Sequence, residues 1–298
     1  MFRSNNQNLA MMAVVCSGVV WGILWIPLRA LHHADINGMW AVAVFYALPV
    51  IVLTPFYILR WRRILQGGMA LQMPSLLAGL ALVLYAGALL HTQVINAMLL
   101  YYLTPLWSTL LAKYILGESI YLNRFITMIL AFAGMMVVLN LDIRFSSPES
   151  IGDLMGFSSG IIWAFAAVYI KKGSIKNSVD VTLCYFLWGS IFALIFTQIP
   201  LGEVQPPPSL ASLYDTLPWM IPVVVLLIIP PALAVLWGAT ILSPGILGIL
   251  FMTEISTGAV SAAIWSNEPF GIRELLGITL ISLAGLWEPL CNWKSLKI

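Results

Sequence analysis

Long apolar runs, broken at intervals by short polar or proline-rich stretches, set the pattern of this chain. A helix crosses the roughly 30 Å hydrocarbon core of a bilayer with about 20 residues. Runs of that length predict about ten membrane helices, over residues 9–30, 38–60, 74–92, 94–115, 122–140, 152–170, 179–200, 217–239, 245–265 and 272–291. The breaks are plain at Arg60-Trp-Arg-Arg63 with Gln66-Gly-Gly68, at Ser146-Ser-Pro148, and at the triple proline between Glu203 and Ser209. Only His91, Thr92 and Gln93 separate the third run from the fourth. The first run, Leu9 to Leu28, is too long for a secretory signal; it holds Trp21, Trp25 and Pro27, and no small-residue cleavage pattern follows.

Composition makes lipid the solvent of this pattern. Apolar residues are 61% of the chain and charged residues 9%, where a soluble domain carries about 25% charge. So little charge cannot clothe a water-facing surface, whereas lipid-facing positions want none. Twelve Trp and ten Tyr suit two membrane interfaces, where amphipathic rings settle at headgroup depth. A net charge of +2 gives no reason to expect a nucleic-acid partner. The three cysteines, Cys16, Cys184 and Cys291, form neither a disulfide framework nor a zinc spacing.

The distribution of Lys and Arg orients the chain. With the N-terminus inside, the cytoplasmic side collects Arg3, Arg60, Arg62, Arg63, Lys113, Arg124, Lys171, Lys172, Lys176, Lys294 and Lys297. The outside receives only Arg29, Arg144 and Arg273. Both termini are therefore expected in the cytoplasm.

The two halves echo each other. Ser17-Gly-Val-Val-Trp21 recurs as Ser159-Gly-Ile-Ile-Trp163. Leu103-Thr-Pro-Leu-Trp107 through Gly117-Glu118 has a weaker partner in Met252-Thr-Glu-Ile through Asn267-Glu268. Each is followed by a helix with a late glycine, Gly134 or Gly285. The unit holds about five helices, so the second copy enters the membrane from the opposite side, the inverted-repeat plan of secondary transporters with a midplane site between the halves.

Tyr102-Leu-Thr-Pro-Leu-Trp107 with Leu116-Gly-Glu118, and then a helix ending Gly134-Met-Met-Val-Val138, resembles the EamA module of the drug/metabolite transporter (DMT) superfamily. The resemblance covers nearly the whole chain as two modules, residues 9–140 and an inverted 152–291. The second departs from the family habit, with Met252-Thr-Glu-Ile where a proline is common. Members export amino acids, amines and other metabolites, and distant relatives exchange nucleotide sugars. The resemblance implies a ten-helix fold around a central cavity, an exporter in a bacterial inner (plasma) membrane, and no particular cargo.

Glu254 is the first candidate for chemistry. An ionisable group at membrane depth is costly unless it faces a cavity, a partner or is neutralised. At helical spacing Glu254, Thr257, Gly258, Ser261 and Trp265 form one polar stripe, which suits a substrate amine or a proton-coupling site, or else a hydrogen bond to a neighbouring helix. The stripe on the fourth helix is Ala97, Tyr101, Thr104, Pro105 and Ser108, and an offset of 150 residues sets Thr104 against Glu254. Pro105 frees a backbone carbonyl, which either meets a polar substrate or marks a packing kink. Trp21 and Trp163 hold matching repeat positions, and Ser17, Trp21 and Trp25 share a face. Aromatic walls beside a carboxylate suit ammonium ligands, or these rings simply pack. Tyr85 joins the cavity set, and His91, at a helix end, is a capping residue or a proton-linked gate. Lys113 snorkels to an interface. The glycines Gly18 and Gly22, and Gly152, Gly156 and Gly160, form close-packing rows.

Gly156-Phe-Ser-Ser-Gly160 also matches the nucleophile elbow of serine hydrolases, which needs a strand-to-helix turn and a His partner. It falls instead in an expected membrane helix. No phosphate-binding loop or zinc-protease spacing occurs. The sequence thus predicts an all-α polytopic membrane protein with two inverted five-helix repeats. Its expected role is transport, not catalysis, with no cofactor or metal. Its partners are a small-molecule substrate and the lipid bilayer, and a homodimer stays open. An amino acid or related amine is the favoured cargo. A nucleotide-sugar or organic-anion exchanger is the alternative in transport; a lipid-handling protein and an outward-facing membrane serine hydrolase built on Ser158 are the others.

Overall fold

The computed structural model describes residues 2–92, 94–120, 122–138, 150–173, 177–199, 205–265 and 271–295, and among these it is helical with no strand. Helices α1 (Phe2–Trp21), α2 (Trp25–His33), α3 (Met39–Val52), α4 (Thr54–Gln66) and α5 (Gly68–His91) open the chain. Then come α6 (Val94–Tyr101), α7 (Thr104–Leu111), α8 (Leu122–Val138), α9 (Ile151–Lys172) and α10 (Ser178–Thr197). The rest is α11 (Leu210–Val223), α12 (Ile229–Ile241), α13 (Pro244–Phe251), α14 (Thr253–Trp265) and α15 (Ile272–Ser295).

Six helices among the described residues are long and apolar enough to cross a membrane: Asn6–His33, Gly68–His91, Ile151–Lys172, Ser178–Thr197, Leu210–Ile241 and Pro244–Trp265. They become seven if α3 and α4 count as one span. The sequence pattern expects ten, and the difference has local causes. The expected fourth span, 94–115, is split between α6 and α7, and Leu122–Val137 and Leu275–Ala284 are apolar but short. The expected second span, 38–60, stops at Val52, because α4 turns away by 81°. Pro49 inside α3 and Pro55 in the first turn of α4 each remove a backbone donor at that bend. Beyond it α4 exposes Ile58, Leu59 and Trp61.

Three helix starts carry side-chain caps. Ser150, Asn177 and Ser209 accept from the backbone N–H of Asp153, Val179 and Ser212, satisfying donors that a first turn leaves open. A π-turn at 112–116 ends on Gly117, whose φ of 69° is left-handed. A second π-turn, 224–228, precedes Pro230 and Pro231, which cannot return a bond to the preceding turn.

Packing follows a reciprocal plan. α5 lies along α9 and α1 lies along α12; α6 and α7 pack on α9, while α13 and α14 pack on α1. α8 pairs with α15, α3 with α10 and α7 with α13. Lys171 donates to the Ile241 carbonyl, Arg124 donates to Ser243 Oγ at 2.8 Å and to Glu118 at 3.1 Å, and Arg60 meets Asp180 at 2.6 Å. These contacts gather the Lys and Arg side chains of α4, α8 and α9 at one end of the bundle. At the other end Thr92 Oγ1 donates to Asp153 at 2.7 Å and Trp40 Nε1 to the Gln205 carbonyl at 3.2 Å.

Candidate functional site

Three helix breaks meet in the interior and build the site. The first, Gly22 to Leu24, separates α1 from α2 and is closed by tight turns from Ile23 N–H to the Val20 carbonyl and from Leu24 N–H to the Trp21 carbonyl. The second lies at Tyr102–Leu103. Pro105 cannot bond the Tyr101 carbonyl, and Thr104 Oγ1 donates to it instead. The freed carbonyl is thus internally satisfied, so this is a packing kink and not an open acceptor. The third break is at Met252, where Thr253 Oγ1 bonds the Leu250 carbonyl at 3.0 Å and the Val15 carbonyl at 3.2 Å.

Glu254 stands just past that third break, in the first turn of α14. A helix start favours negative charge there. Gly18 of α1 and Gly22 just past its end bring the tryptophans to it. A Cβ on Gly18 would lie 2.2 Å from Thr253 Oγ1 and 3.2 Å from Glu254 N. One on Gly22 would lie 2.6 Å from Thr257 Cβ and 2.7 Å from the Glu254 carbonyl. Only bare backbone lets α1 lie this close to α14. Trp21 then stands edge-on to Phe251 at 5.2 Å, and Trp25 Nε1 donates to Ser261 Oγ at 3.0 Å. Ser261 in turn donates to the Gly22 carbonyl at 3.2 Å.

The carboxylate itself is 3% exposed. Tyr85 Oη donates to Oε1 at 3.1 Å, whereas Oε2 and the Tyr101 hydroxyl are buried without a hydrogen-bond partner among the described residues. Tyr101 stacks on Tyr85 at 4.3 Å and Tyr102 abuts Tyr101 edge-on at 5.2 Å. Glu254 shares its wall with Trp21, Trp25 and Tyr85 around a cavity of about 610 Å³, mouth included. The same cavity is lined by Phe45, Tyr46, Met98 and Tyr185, which sequence reasoning missed. Tyr185 Oη donates to Tyr46 Oη at 3.4 Å. Gly189 seats the Tyr46 ring, and Gly79 lies against Gly189 N and the Tyr185 carbonyl. Tyr46, Tyr85, Tyr101, Tyr102 and Tyr185 are all buried, so half of the ten tyrosines are interior groups and not an interface belt.

Other expected residues lie behind the wall. Tyr101, Thr104 and Ser108 are buried against neighbouring helices, because Gly156 and Gly160 bring α9 onto α6 and α7. Thr104 Oγ1 also reaches the Gly160 carbonyl at 3.3 Å. Trp163 is 2% exposed and does not line the cavity. α9 runs unbroken where α1 breaks, so the matched position points into packing. Thr257 faces Gly22 in the α1–α2 break and donates to the Thr253 carbonyl at 3.2 Å. His91 Nδ1 pairs with the Gly87 carbonyl at 2.8 Å at the end of α5, away from the cavity. Lys113 is exposed and Glu118 accepts from Arg124. Asn267 and Glu268 lie outside the described residues, as does the side chain of Cys291. Gly156-Phe-Ser-Ser-Gly160 sits inside the uninterrupted helix α9, without the turn that an elbow requires. Among the described residues, no cluster of His, Cys, Asp or Glu has metal-binding geometry.

Comparison with known proteins agrees with this architecture. Residues 8–140 and 150–287 each match the EamA-like transporter family. The chain is 24% identical over 286 residues to a biotin transporter of Escherichia coli (strain K12), covering 93% of this chain and 92% of that protein. It is 27% identical over 174 residues to the uncharacterized transporter YvbV of Bacillus subtilis (strain 168), covering 56% of this chain and about half, 53%, of that protein's length. A solved protein crystal structure superposes with a TM-score of 0.69 at 16% identity, over 95% of this chain and 98% of the other, which is a likeness of fold.

Proposed function

We propose, from the premise that this chain belongs to the EamA-like transporter family of the DMT superfamily, that it moves a small ammonium-bearing metabolite, an amino acid or related amine, through a membrane by alternating access. The observation that carries the cargo class is Glu254, a carboxylate 3% exposed on a cavity walled by aromatic rings. A buried carboxylate needs a counter-charge or a proton. An ammonium group supplies the first, and the aromatic wall beside it suits a cation with an apolar body.

The full architecture we infer is ten spans in two inverted five-helix halves, residues 9–140 and 152–291, in a bacterial inner membrane with both termini cytoplasmic. The reciprocal packing of α5 on α9 and α1 on α12 supports it. So does the gathering of Arg60, Arg124 and Lys171 at one end, which the positive-inside rule assigns to the cytoplasm. Export is the direction that the resemblance implies.

A second reading, an organic-anion cargo, is favoured by the similarity to a protein named as a biotin transporter, since biotin is a carboxylic acid. Against it, none of the described residues lining the cavity is Lys, Arg or His.

The test is uptake into proteoliposomes, with and without a pH gradient, by the wild type and Glu254→Gln. The ammonium reading expects amine-dependent transport that Gln at 254 abolishes. Unchanged transport of every cargo by the variant, with unchanged pH dependence, overturns it.

A further inference from the structure

The cavity has one charged pole and no second. Among the described residues that line it, Glu254 is the sole carboxylate, and the rest of the wall is uncharged, about half of it aromatic: Trp21, Trp25, Phe45, Tyr46, Tyr85 and Tyr185. The sequence carries this further than the lining. No Lys or Arg occurs in residues 4–28, 30–59, 64–112 or 177–272, and every lining residue falls in one of these stretches. Of the three histidines, His32 and His33 end α2 and His91 ends α5. Arg29 lies outside the lining, its guanidinium 4.7 Å from the centre of the Trp25 ring.

Backbone amides do not replace the missing cation. The first turn of α14 already carries the Glu254 carboxylate, so a second carboxylate there would meet a like charge. At the start of α2, the Leu24, Ile26 and Leu28 N–H groups bond the Trp21, Ile23 and Leu24 carbonyls, and Pro27 has no N–H. A cargo carboxylate placed here would meet neutral donors at most, such as Trp21 Nε1, which is buried without a hydrogen-bond partner among the described residues, and a neutral donor does not replace the cation that a buried charge needs.

We infer that the cavity accepts a monocationic amine with an apolar or aromatic body and rejects the zwitterionic amino acid of the same skeleton. This rests on the reading that the Glu254 cavity holds the cargo. Of the two members of the class proposed above, amino acid and amine, the inference selects the amine. Specificity then comes from what the wall lacks, because a site penalises a ligand group it leaves unpaired more strongly than it rewards a fit.

The experiment compares three ligands with one ring: phenethylamine, phenylalaninamide and phenylalanine. Each is titrated into the purified full chain in nanodiscs, with quenching of tryptophan fluorescence as the readout, and each is used to drive counterflow in proteoliposomes. Phenethylamine and phenylalaninamide are expected to bind and exchange, and phenylalanine to bind at least about tenfold more weakly. The amide carries the same ammonium and nearly the same bulk as phenylalanine, so a gap between those two measures charge and not size. Binding of phenylalanine within threefold of its amide overturns the inference. If that binding is lost in Glu254→Gln, the function proposed above stands while the inference falls. Failure of both amines to bind at millimolar concentration also overturns it. Amine binding that survives unchanged in Glu254→Gln overturns the reading beneath it.

Discussion

Replacing Gly22 with Ala tests whether the contact of α1 with α14 builds the cavity wall. The added Cβ would sit 2.6 Å from Thr257 Cβ, 2.7 Å from the Glu254 carbonyl and 2.9 Å from Gly258 N. Carbon contacts are comfortable at about 3.5–4.0 Å, so α1 must retreat by about 1 Å. Two of the three obstacles are backbone atoms and cannot rotate away. Overpacking of this kind costs about 1–3 kcal/mol. The retreat also stretches the 3.2 Å bond from Ser261 to the Gly22 carbonyl, which leaves little margin before a hydrogen bond is lost. Trp25 is tied to the same serine, so both tryptophans draw back from the carboxylate. A 1.4 kcal/mol loss is tenfold in affinity, and cargo affinity is expected to fall by about that much. The control is Gly87→Ala. Its Cβ would come within 2.2 Å of Met155 Cε and 3.2 Å of Met39 Sδ, nominally the worse clash. Both atoms end flexible methionine side chains, and Ala inside α5 regains about 0.5–1 kcal/mol of helix propensity. Thermal unfolding in detergent and proteoliposome transport read both variants. Gly22→Ala should unfold earlier and transport poorly, and Gly87→Ala should match the wild type on both counts. Equal damage from the two, or none from Gly22→Ala, refutes the reasoning.

Three further outcomes are expected. Arg60→Gln and Asp180→Asn each break the 2.6 Å pair that ties α4 to α10; a double-mutant cycle on thermal stability should return a coupling of about 0.5–3 kcal/mol, because the two groups are in direct contact and largely buried. Ser158→Ala should leave transport unchanged and remove no ester hydrolysis, because Ser158 lies within a continuous helix; an esterase signal lost in that variant contradicts the transporter reading. Single cysteines at Arg62 and Lys172 should react with membrane-impermeant thiol reagents only from the cytoplasmic face, and one at His33 only from the opposite face; labelling of all three from one side contradicts the inverted arrangement.

How far the sequence carried depended on charge. Glu254 was visible because a lone carboxylate in an apolar run has no bland surroundings to explain it, and the 3.6-residue period drew Ser261 with it. Trp21 and Trp25 followed from their spacing along the first apolar run. Tyr46 and Tyr185 gave no such signal, since a tyrosine in an apolar helix serves an interface, a core or a cavity equally well. Their placement comes from Gly79 and Gly189, whose close approaches join helices distant in sequence. The matched position of Trp163 misled because the repeat preserves residues but not the break at Gly22–Leu24. The bend at Leu53 was legible in retrospect from Pro49 and Pro55, yet the apolar run continues through it, and hydropathy alone reads straight across.

The turn between α12 and α13 carries no cation of its own. Residues 177–272 are free of Lys and Arg, and the loop at Ile241–Ser243 is served by Lys171 and Arg124, borrowed from α9 and α8. Of the two, only the Arg124 contact crosses between modules, so the anchorage of this turn is shared by both halves of the chain. Expressed by itself, residues 150–298 keep Lys171, Lys172, Lys176, Lys294 and Lys297 against Arg273 and should still insert in one orientation; a cysteine at Ser243 should then label faster in that fragment than in the full chain, and the gap measures how much anchorage one half lends the other.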